Sequence, residues 1–234
     1  NLPRHTKIRR TRDKAIALNK NSGLLTLRDK IINHHFSALG EKGVLSEKED
    51  ILSDLINEQA KYFEIGKIKP FKIVIDAVNS MGALDMAALF EKLPCQLVKI
   101  NFELDGTFPS HQPDPLQEKN LELLKKEVIK NQADLGIAPD GDGDRYFFVD
   151  EKGQSVRQEI LRGLMAQLAL KENPGATVCY DIRPGRITRD LIEEAGGRAV
   201  VTPVGHSLIK EIMIREKAVF GGESSGHYFY QLPY

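Results

Sequence analysis

The sequence predicts an α/β protein made of two consecutive α/β domains with mainly parallel sheets. Two patterns predict it. Between Phe71 and Ala138, short apolar runs alternate with helix-length segments in the order strand, helix, strand, helix, strand, which is the order that feeds a parallel sheet. From Thr177 to Phe220 the same order recurs at similar size, which suggests a repeated architecture without evident repeated sequence. A length of 234 residues allows two modest domains, each with its own core.

Leu24 to Leu39 reads as a helix, followed by a polar break at Glu41 to Gly43. Ser46 with Glu49 three residues later has the form of a capping box, opening a helix that carries Ile51, Leu52, Leu55, Ile56 and Tyr62 on one stripe. The apolar run Phe71 to Ile75, ending at Asp76, reads as a buried strand, then a turn at Asn79 and Ser80 and a helix from about Ala83 to Leu93. Leu97 to Ile100 is a second strand, Leu116 to Ile129 a helix, and Ala133 to Ala138 a third strand stopping at Pro139 and Asp140. Tyr146 to Val149 is a short strand closed by the Glu151-Lys152-Gly153 turn, and Ile160 to Leu170 is a helix leading into the second unit. There Thr177 to Tyr180, Arg198 to Val201 and Ala218 to Phe220 read as strands, with helices at Arg186 to Glu194 and Ser207 to Arg215 between them.

Lys plus Arg and Asp plus Glu number 33 each, so the net charge is zero and no broad electrostatic footprint for nucleic acid or an acidic membrane is expected. The partner implied is small. Arg4, Lys7, Arg9, Arg10, Arg12 and Lys14 cluster near the start against Asp13, a run that reads as a solvated face or tail. Cys95 and Cys179 lie far apart in apolar runs and read as small core residues, which fits a reducing cytosol. No apolar stretch approaches a membrane span and no hydrophobic region follows the basic start, so a soluble, cytoplasmic protein is expected. A chain that begins at Asn1 and stops at Tyr234, directly after an apolar segment, reads as a piece of something longer.

The most informative loop is Pro139-Asp140-Gly141-Asp142-Gly143-Asp144-Arg145, placed where an apolar strand ends. Three carboxylates at alternate positions, with small residues between, can converge on one hard cation, and magnesium suits three protein oxygens with positions left for water or phosphate. Arg145 adds a fork for phosphate at the C-terminal edge of a parallel sheet, where ligands usually bind. A calcium EF-hand is the competing reading, since Asp140, Asp142, Asp144 and Glu151 fall at its ligand spacing, but its invariant glycine is replaced by Arg145 and strands flank the loop. A polar turn binding nothing is the bland alternative, and it leaves three repelling aspartates uncompensated. A second loop, Gly221-Gly222-Glu223-Ser224-Ser225-Gly226-His227, offers a carboxylate, two hydroxyls and an imidazole that suit sugar hydroxyls, although Gly/Ser-rich runs also serve as plain turns. Gly205, His206 and Ser207 stand at a helix start, where backbone amides favour anions or where His206 is merely a cap; Asp181, Arg183 and Arg186 open another helix, as phosphate contacts or as solvated charges. A Gly-x-Ser-x-Gly elbow, a Walker loop and a dinucleotide fingerprint are all missing from the sequence, which weakens hydrolase, NTPase and dehydrogenase readings.

With these loops in place, the chain resembles the α-D-phosphohexomutase family (phosphomannomutase/phosphoglucomutase) over nearly its whole length. The Asp-Gly-Asp-Gly-Asp-Arg loop and the Gly-Gly-Glu-x-Ser-Gly-His loop carry the resemblance, supported by Asp105-Gly106-Thr107-Phe108-Pro109, Pro113-x-Pro115-Leu116, Ala133-Asp134-Leu135-Gly136-Ile137-Ala138 and Thr202-x-Val204-Gly205-His206-Ser207. The resemblance implies an isomerase that moves phosphate between the 1 and 6 positions of glucose or mannose through a phosphoserine and a hexose 1,6-bisphosphate, with Mg2+ as cofactor. It implies that Asp140, Asp142 and Asp144 hold the metal, that Arg145, Lys7 and His206 serve catalysis, and that Arg183, Glu223, Ser225 and His227 bind the hexose phosphate substrate.

By the same resemblance, residues 1–43 are the remnant of a first, serine-bearing domain, 44–153 a second α/β domain with the metal loop, and 154–234 a third with the sugar loop. First- and fourth-domain segments of the parent chain are the missing partners, the nucleophilic serine is expected just before Asn1, and the fragment alone is expected to be inactive. A non-catalytic magnesium- and sugar-phosphate-binding fragment is the alternative. The family often has Lys where Arg183 stands and usually Asn-Gly where Asn79-Ser80 stands.

Overall fold

A computed structural model describes residues 23–36, 40, 43–61, 64–183 and 185–231. Two helices, α1 (Leu25–Ile32) and α2 (Ile51–Ala60), precede two sheets. The first sheet holds β1 (Lys72–Asp76), β2 (Gln96–Ile100), β3 (Leu135–Pro139) and β4 (Tyr146–Asp150), with α3 (Gly82–Phe90) and α4 (Glu122–Asn131) in the connections. After α5 (Gln158–Glu172), the second sheet holds β5 (Thr177–Asp181), β6 (Arg198–Thr202), β7 (Phe220–Gly222) and β8 (Tyr228–Tyr230), connected through α6 (Ile187–Glu194) and α7 (His206–Glu216). The strand orders are β2-β1-β3-β4 and β6-β5-β7-β8, so the second sheet repeats the topology of the first. In each, the first three strands run parallel and the last is an antiparallel hairpin partner of the third. The predicted pair of α/β domains with mainly parallel sheets is therefore present.

Period-two alternation explains why the central strands are apolar throughout. In β1, Val74 faces a core with Leu124, Val128, Phe147 and Val149, while Ile73 and Ile75 face another with Met86, Phe90 and Ile137. In β5, Val178 and Tyr180 pack with Ala166, Leu170, Ile192 and Phe220, and Cys179 packs with Ile209 and Met213 on the opposite face. Cys179 is thus a core thiol, as expected, whereas Cys95 is only half-buried; both are free.

Five expectations on the elements need correction. The Ser46/Glu49 capping box does not form: Asp50, with a left-handed φ of 58°, breaks the backbone before the helix begins at Ile51. Of the predicted stripe, Ile56 is buried at 1% exposure while Ile51 and Leu55 are exposed, and Tyr62 lies outside the described residues. The first helix stops at Ile32 because Asn33 Nδ2 bonds the Asp29 carbonyl and His34 turns left-handed at φ 53°; residues 37–39 lie outside the described residues. The helix expected from Leu116 begins as a tight turn at Glu118–Leu121, since the Asp114 carboxylate accepts from Leu116 N and Gln117 Nε2 and holds the chain in a side-chain-closed turn. The strand expected at Ala218 to Phe220 is shifted to Phe220–Gly222, and β8 pairs with it after the Ser-rich loop.

Among the described residues, no helix is long and apolar enough to cross a membrane.

Candidate functional site

The two informative loops occupy equivalent places in the repeat, the β3–β4 hairpin and the β7–β8 hairpin. In the first, Asp140 is the anchor at 2% exposure. Its Oδ1 accepts the backbone N–H groups of Gly143, Asp144 and Arg145 at 3.1, 3.2 and 3.3 Å, curling the chain into a nest. Gly143 supplies the positive φ of 74° that this curl needs. Oδ2 of Asp140 accepts from Arg145 Nε at 2.7 Å and lies 2.6 Å from Arg145 Nη2. Ser80, buried in the turn after β1, donates to the Asp140 carbonyl at 3.0 Å and ties that turn beneath the loop.

Asp142 and Asp144 are exposed on the same curl, and one carboxylate oxygen from each of Asp140, Asp142 and Asp144 lies within 4.8 Å of the others. All-oxygen donors at this spacing, carried by a preformed loop, fit a hard divalent cation such as magnesium. The electrostatics agree: burial and then the Asp142 charge push the Asp144 carboxyl up, with Asp140 adding to them and His227 and Arg145 opposing. A cation between the three would relieve that repulsion. Strands flank this loop, so the helix-loop-helix context of an EF-hand is missing here.

In the second loop, Glu223 is buried and bound at both ends. Oε1 accepts the Gly205 N–H at 2.8 Å, and Oε2 accepts from Ser225 Oγ at 3.4 Å and lies 3.3 Å from His227 Nδ1. Ser225 Oγ and His227 Nδ1 are 2.9 Å apart. The Gly205 contact places the exposed His206, first residue of α7, beside this loop. The loops of the two domains then meet: His227 Nε2 lies 3.4 Å from Asp144 Oδ2. A side chain at Gly226 would come 3.2 Å from the Phe147 ring and 3.6 Å from Arg145 Cβ, so glycine permits this approach.

At the end of β5, Asp181 is a hub. Its Oδ2 accepts from Arg183 Nε and Nη2 at 3.0 and 2.7 Å and from Ser224 N and Oγ at 3.2 and 2.8 Å; its Oδ1 accepts from Arg162 Nη1 at 2.6 Å. Burial alone would raise this carboxyl, but the bonds from Arg183, Arg162 and Ser224 outweigh it and hold it below the usual range. Arg183 is thereby tied to the second loop, both it and Ser224 bonding Asp181 Oδ2. Arg186 is exposed and lies 3.7 Å from Asp190.

The structure therefore brings together Asp140, Asp142, Asp144, Arg145, Glu223, Ser225 and His227, with His206 adjacent and Arg183 tied in through Asp181. Lys7 lies outside the described residues. Sequence reasoning passed over Arg162 and took Ser80 only as part of a turn. The available signal for Arg162 was a charge inside an otherwise apolar helix run, Ile160-Leu161-Arg162-Gly163-Leu164-Met165.

Comparison with known proteins places these features. Residues 52–153 match the family model for phosphoglucomutase/phosphomannomutase, alpha/beta/alpha domain II, and residues 159–232 match the model for domain III. The chain is 35% identical over 220 residues to "Phosphohexose mutases" of Xanthomonas campestris, covering 94% of this chain and 49% of that protein. It is 36% identical over 213 residues to a phosphomannomutase/phosphoglucomutase of Pseudomonas aeruginosa, covering 87% and 45% respectively. A crystal structure of a phosphoglucomutase/phosphomannomutase family protein from Burkholderia thailandensis superposes with a TM-score of 0.78 at 33% identity, covering 88% of this chain and 44% of that one. The chain spans about half the length of the curated relatives it matches. By sequence, fold and repeat, this chain belongs to the phosphoglucomutase/phosphomannomutase family of the α-D-phosphohexomutase superfamily, and it contains that family's domains II and III.

Proposed function

We propose that these two domains form the cation- and sugar-binding centre of a phosphohexomutase that moves phosphate between the 1 and 6 positions of glucose or mannose, through a hexose 1,6-bisphosphate and a phosphoserine. The observation that carries the reading is the meeting of the two loops, with Asp144 of the carboxylate trio 3.4 Å from His227 of the hydroxyl-binding loop. A donor set for Mg2+ thus stands beside a donor set for sugar hydroxyls.

Asp140, Asp142 and Asp144 would hold Mg2+, which when bound supplies charge neutralisation to a transferring phosphoryl group. Arg145, held by Asp140, offers a fixed guanidinium beside that position for phosphoryl oxygens or a proton transfer. Glu223 and Ser225 accept and donate to hexose hydroxyls, and His227, between Glu223 and Asp144, fixes Ser225 and can exchange a proton with a hydroxyl. Arg183 and His206 add positive or hydrogen-bonding groups for the phosphate of the substrate. Lys7 stands as a catalytic residue on the family resemblance alone.

Titration calorimetry of the chain with glucose 1,6-bisphosphate and with mannose 1-phosphate, with and without Mg2+, tests the reading. Binding that Mg2+ strengthens and Glu223→Gln weakens is expected. No binding of any hexose phosphate in Mg2+ would overturn it; turnover is not expected of these two domains alone, so a coupled mutase assay on the full-length protein that shows binding without turnover would support a non-catalytic magnesium- and sugar-phosphate-binding unit instead.

A further inference from the structure

Arg162, in the middle of α5, is fully buried at 0% exposure. Its helix neighbours Ala166 and Leu170 face the same apolar core, where an aliphatic side chain would do for packing. A buried ion pair is weak grounds for stability, because desolvation offsets most of the attraction. The charge therefore needs a reason beyond holding the domain together.

Its contacts supply one. Nη1 donates to Asp181 Oδ1 at 2.6 Å and to the Gly222 carbonyl at 3.3 Å, while Nε and Nη2 donate to Thr188 Oγ1 at 3.2 and 3.0 Å. The guanidinium also lies over the Tyr180 ring at 5.5 Å. With Arg162 Nη1 on Oδ1, Asp181 meets Arg183 through Oδ2, the oxygen that also accepts both bonds from Ser224. Without Arg162, the favoured arrangement of Arg183 and Asp181 is a two-oxygen fork, which turns the carboxylate and draws it away from Ser224. The chain is also built to admit the arginine: a Cβ at Gly222 would fall 2.7 Å from both Cγ and Cδ of Arg162. That glycine opens the sugar loop.

We propose that Arg162 is a positioning residue for sugar-phosphate recognition: by occupying Oδ1 of Asp181 it keeps Oδ2 on Arg183 and Ser224, and so fixes both the guanidinium and the loop that meet the substrate. This rests on the reading of Arg183 and the sugar loop given above. Arg162 touches no substrate itself. It acts through Asp181.

The test compares wild type, Arg162→Met and Arg162→Lys by nitrogen-proton NMR and by calorimetry with glucose 1,6-bisphosphate in Mg2+. In the wild type, the Arg183 Nε–H and Ser224 amide bond Asp181 Oδ2, and both signals are expected to show protection from exchange. Arg162→Met is expected to shift the Ser224 amide and speed its exchange, move the Arg183 Nε–H signal, and weaken hexose bisphosphate binding about tenfold, the size of one charge-assisted bond. Arg162→Lys, which keeps a donor on Oδ1, is expected to restore most of both. A folded Arg162→Met with lower thermal stability but unchanged Ser224 and Arg183 signals and unchanged affinity would overturn the proposal, leaving a purely structural ion pair. If Arg162→Met does not fold, Arg162→Gln replaces it: its amide reaches the place of Nε beside Thr188 Oγ1 but not Asp181 Oδ1, and unchanged Ser224 and Arg183 signals there overturn the proposal equally. Failure of the wild type to bind any hexose phosphate would sink the functional reading instead, while the Arg183 and Ser224 signals still decide the role of Arg162.

Discussion

Asp144 Oδ2 and His227 Nε2 lie 3.4 Å apart, although one belongs to the β3–β4 hairpin of the first sheet and the other to the β7–β8 hairpin of the second. Each hairpin is the same element of the repeat, so a single topology, used twice, delivers the carboxylate cluster and the Glu223–Ser225–His227 cluster to one seam. The contact also makes His227 a reporter on the carboxylate loop. Adding Mg2+ is expected to move the His227 ring signals in a nitrogen-proton spectrum, because the cation draws Asp144 charge away from the imidazole. Shifts confined to the amides of residues 140–145 would show that the two loops are not coupled.

The carboxylate trio makes a second prediction, of opposite sign with and without metal. Asp142 and Asp144 repel each other across an exposed loop, so Asp142→Asn or Asp144→Asn is expected to raise the metal-free Tm by about 1–2 °C, a small effect because solvent screens both groups. Wild type should gain about 2.7 kcal/mol from Mg2+ at roughly 100 times its Kd, and the variants little. Calorimetric melts with and without Mg2+ read both quantities. Variants that are destabilised without metal, or stabilised by Mg2+ as much as wild type, would refute the assignment.

The Asp181 hub gives a pH dependence with a definite sign. Its carboxyl is depressed, so the folded state binds that proton less readily than the unfolded chain does. The stability it contributes is fully present above the unfolded carboxylate value of about 3.9 and is lost as pH falls through the lower folded value. Asp181→Asn should therefore lower stability at neutral pH and flatten its decline below about pH 4. Urea midpoints across that range decide it. Parallel acid limbs for variant and wild type would mean that the hub does not hold a charged carboxylate.

What the sequence made legible follows from what kind of physics sets each feature. The buried strands β1 and β5 read as apolar runs because both faces are covered, and the carboxylate cluster was legible because three aspartates at alternate positions between glycines are placed by local sequence alone. Helix starts were less legible. The Ser46/Glu49 pair has the composition of a cap, but the left-handed Asp50 breaks the chain at a place composition does not mark. Glycines carried hidden information of another kind: a Cβ at Gly136 would sit 2.7 Å from Val128 Cγ2, so this glycine is what lets α4 lie close on β3. Strand β8 was missed because Tyr228–Tyr230 is only 3 residues long and follows directly on a Ser/Gly loop. Arg162 was missed because its meaning lies in Asp181, 19 residues away in sequence and on another element.

The last prediction concerns how the two sheets are held together. Gln158 begins α5 and is nearly buried; its Nε2 donates to the Tyr146 carbonyl of β4 at 3.4 Å, and its Oε1 accepts from the Tyr228 hydroxyl of β8 at 2.7 Å. One side chain thus joins the last strand of the first sheet to the last strand of the second. Tyr228 is itself largely enclosed, and burial pushes its phenol well up, so that hydroxyl stays protonated and needs an acceptor. Gln158→Leu keeps most of the volume but leaves the hydroxyl and the Tyr146 carbonyl without this partner, at an expected loss of about 1–3 kcal/mol. Tyr228→Phe removes the donor and leaves the buried Gln158 Oε1 without it, at an expected loss of similar size, about 1–3 kcal/mol. The two losses should not add: once the hydroxyl is gone, Gln158→Leu forfeits only the weaker Tyr146 bond, so the double variant should lie close to Gln158→Leu alone. Denaturant midpoints for the four proteins complete the cycle. Additive losses would show that Gln158 and Tyr228 act independently, and that the seam carrying Asp144 and His227 is held by something other than this link.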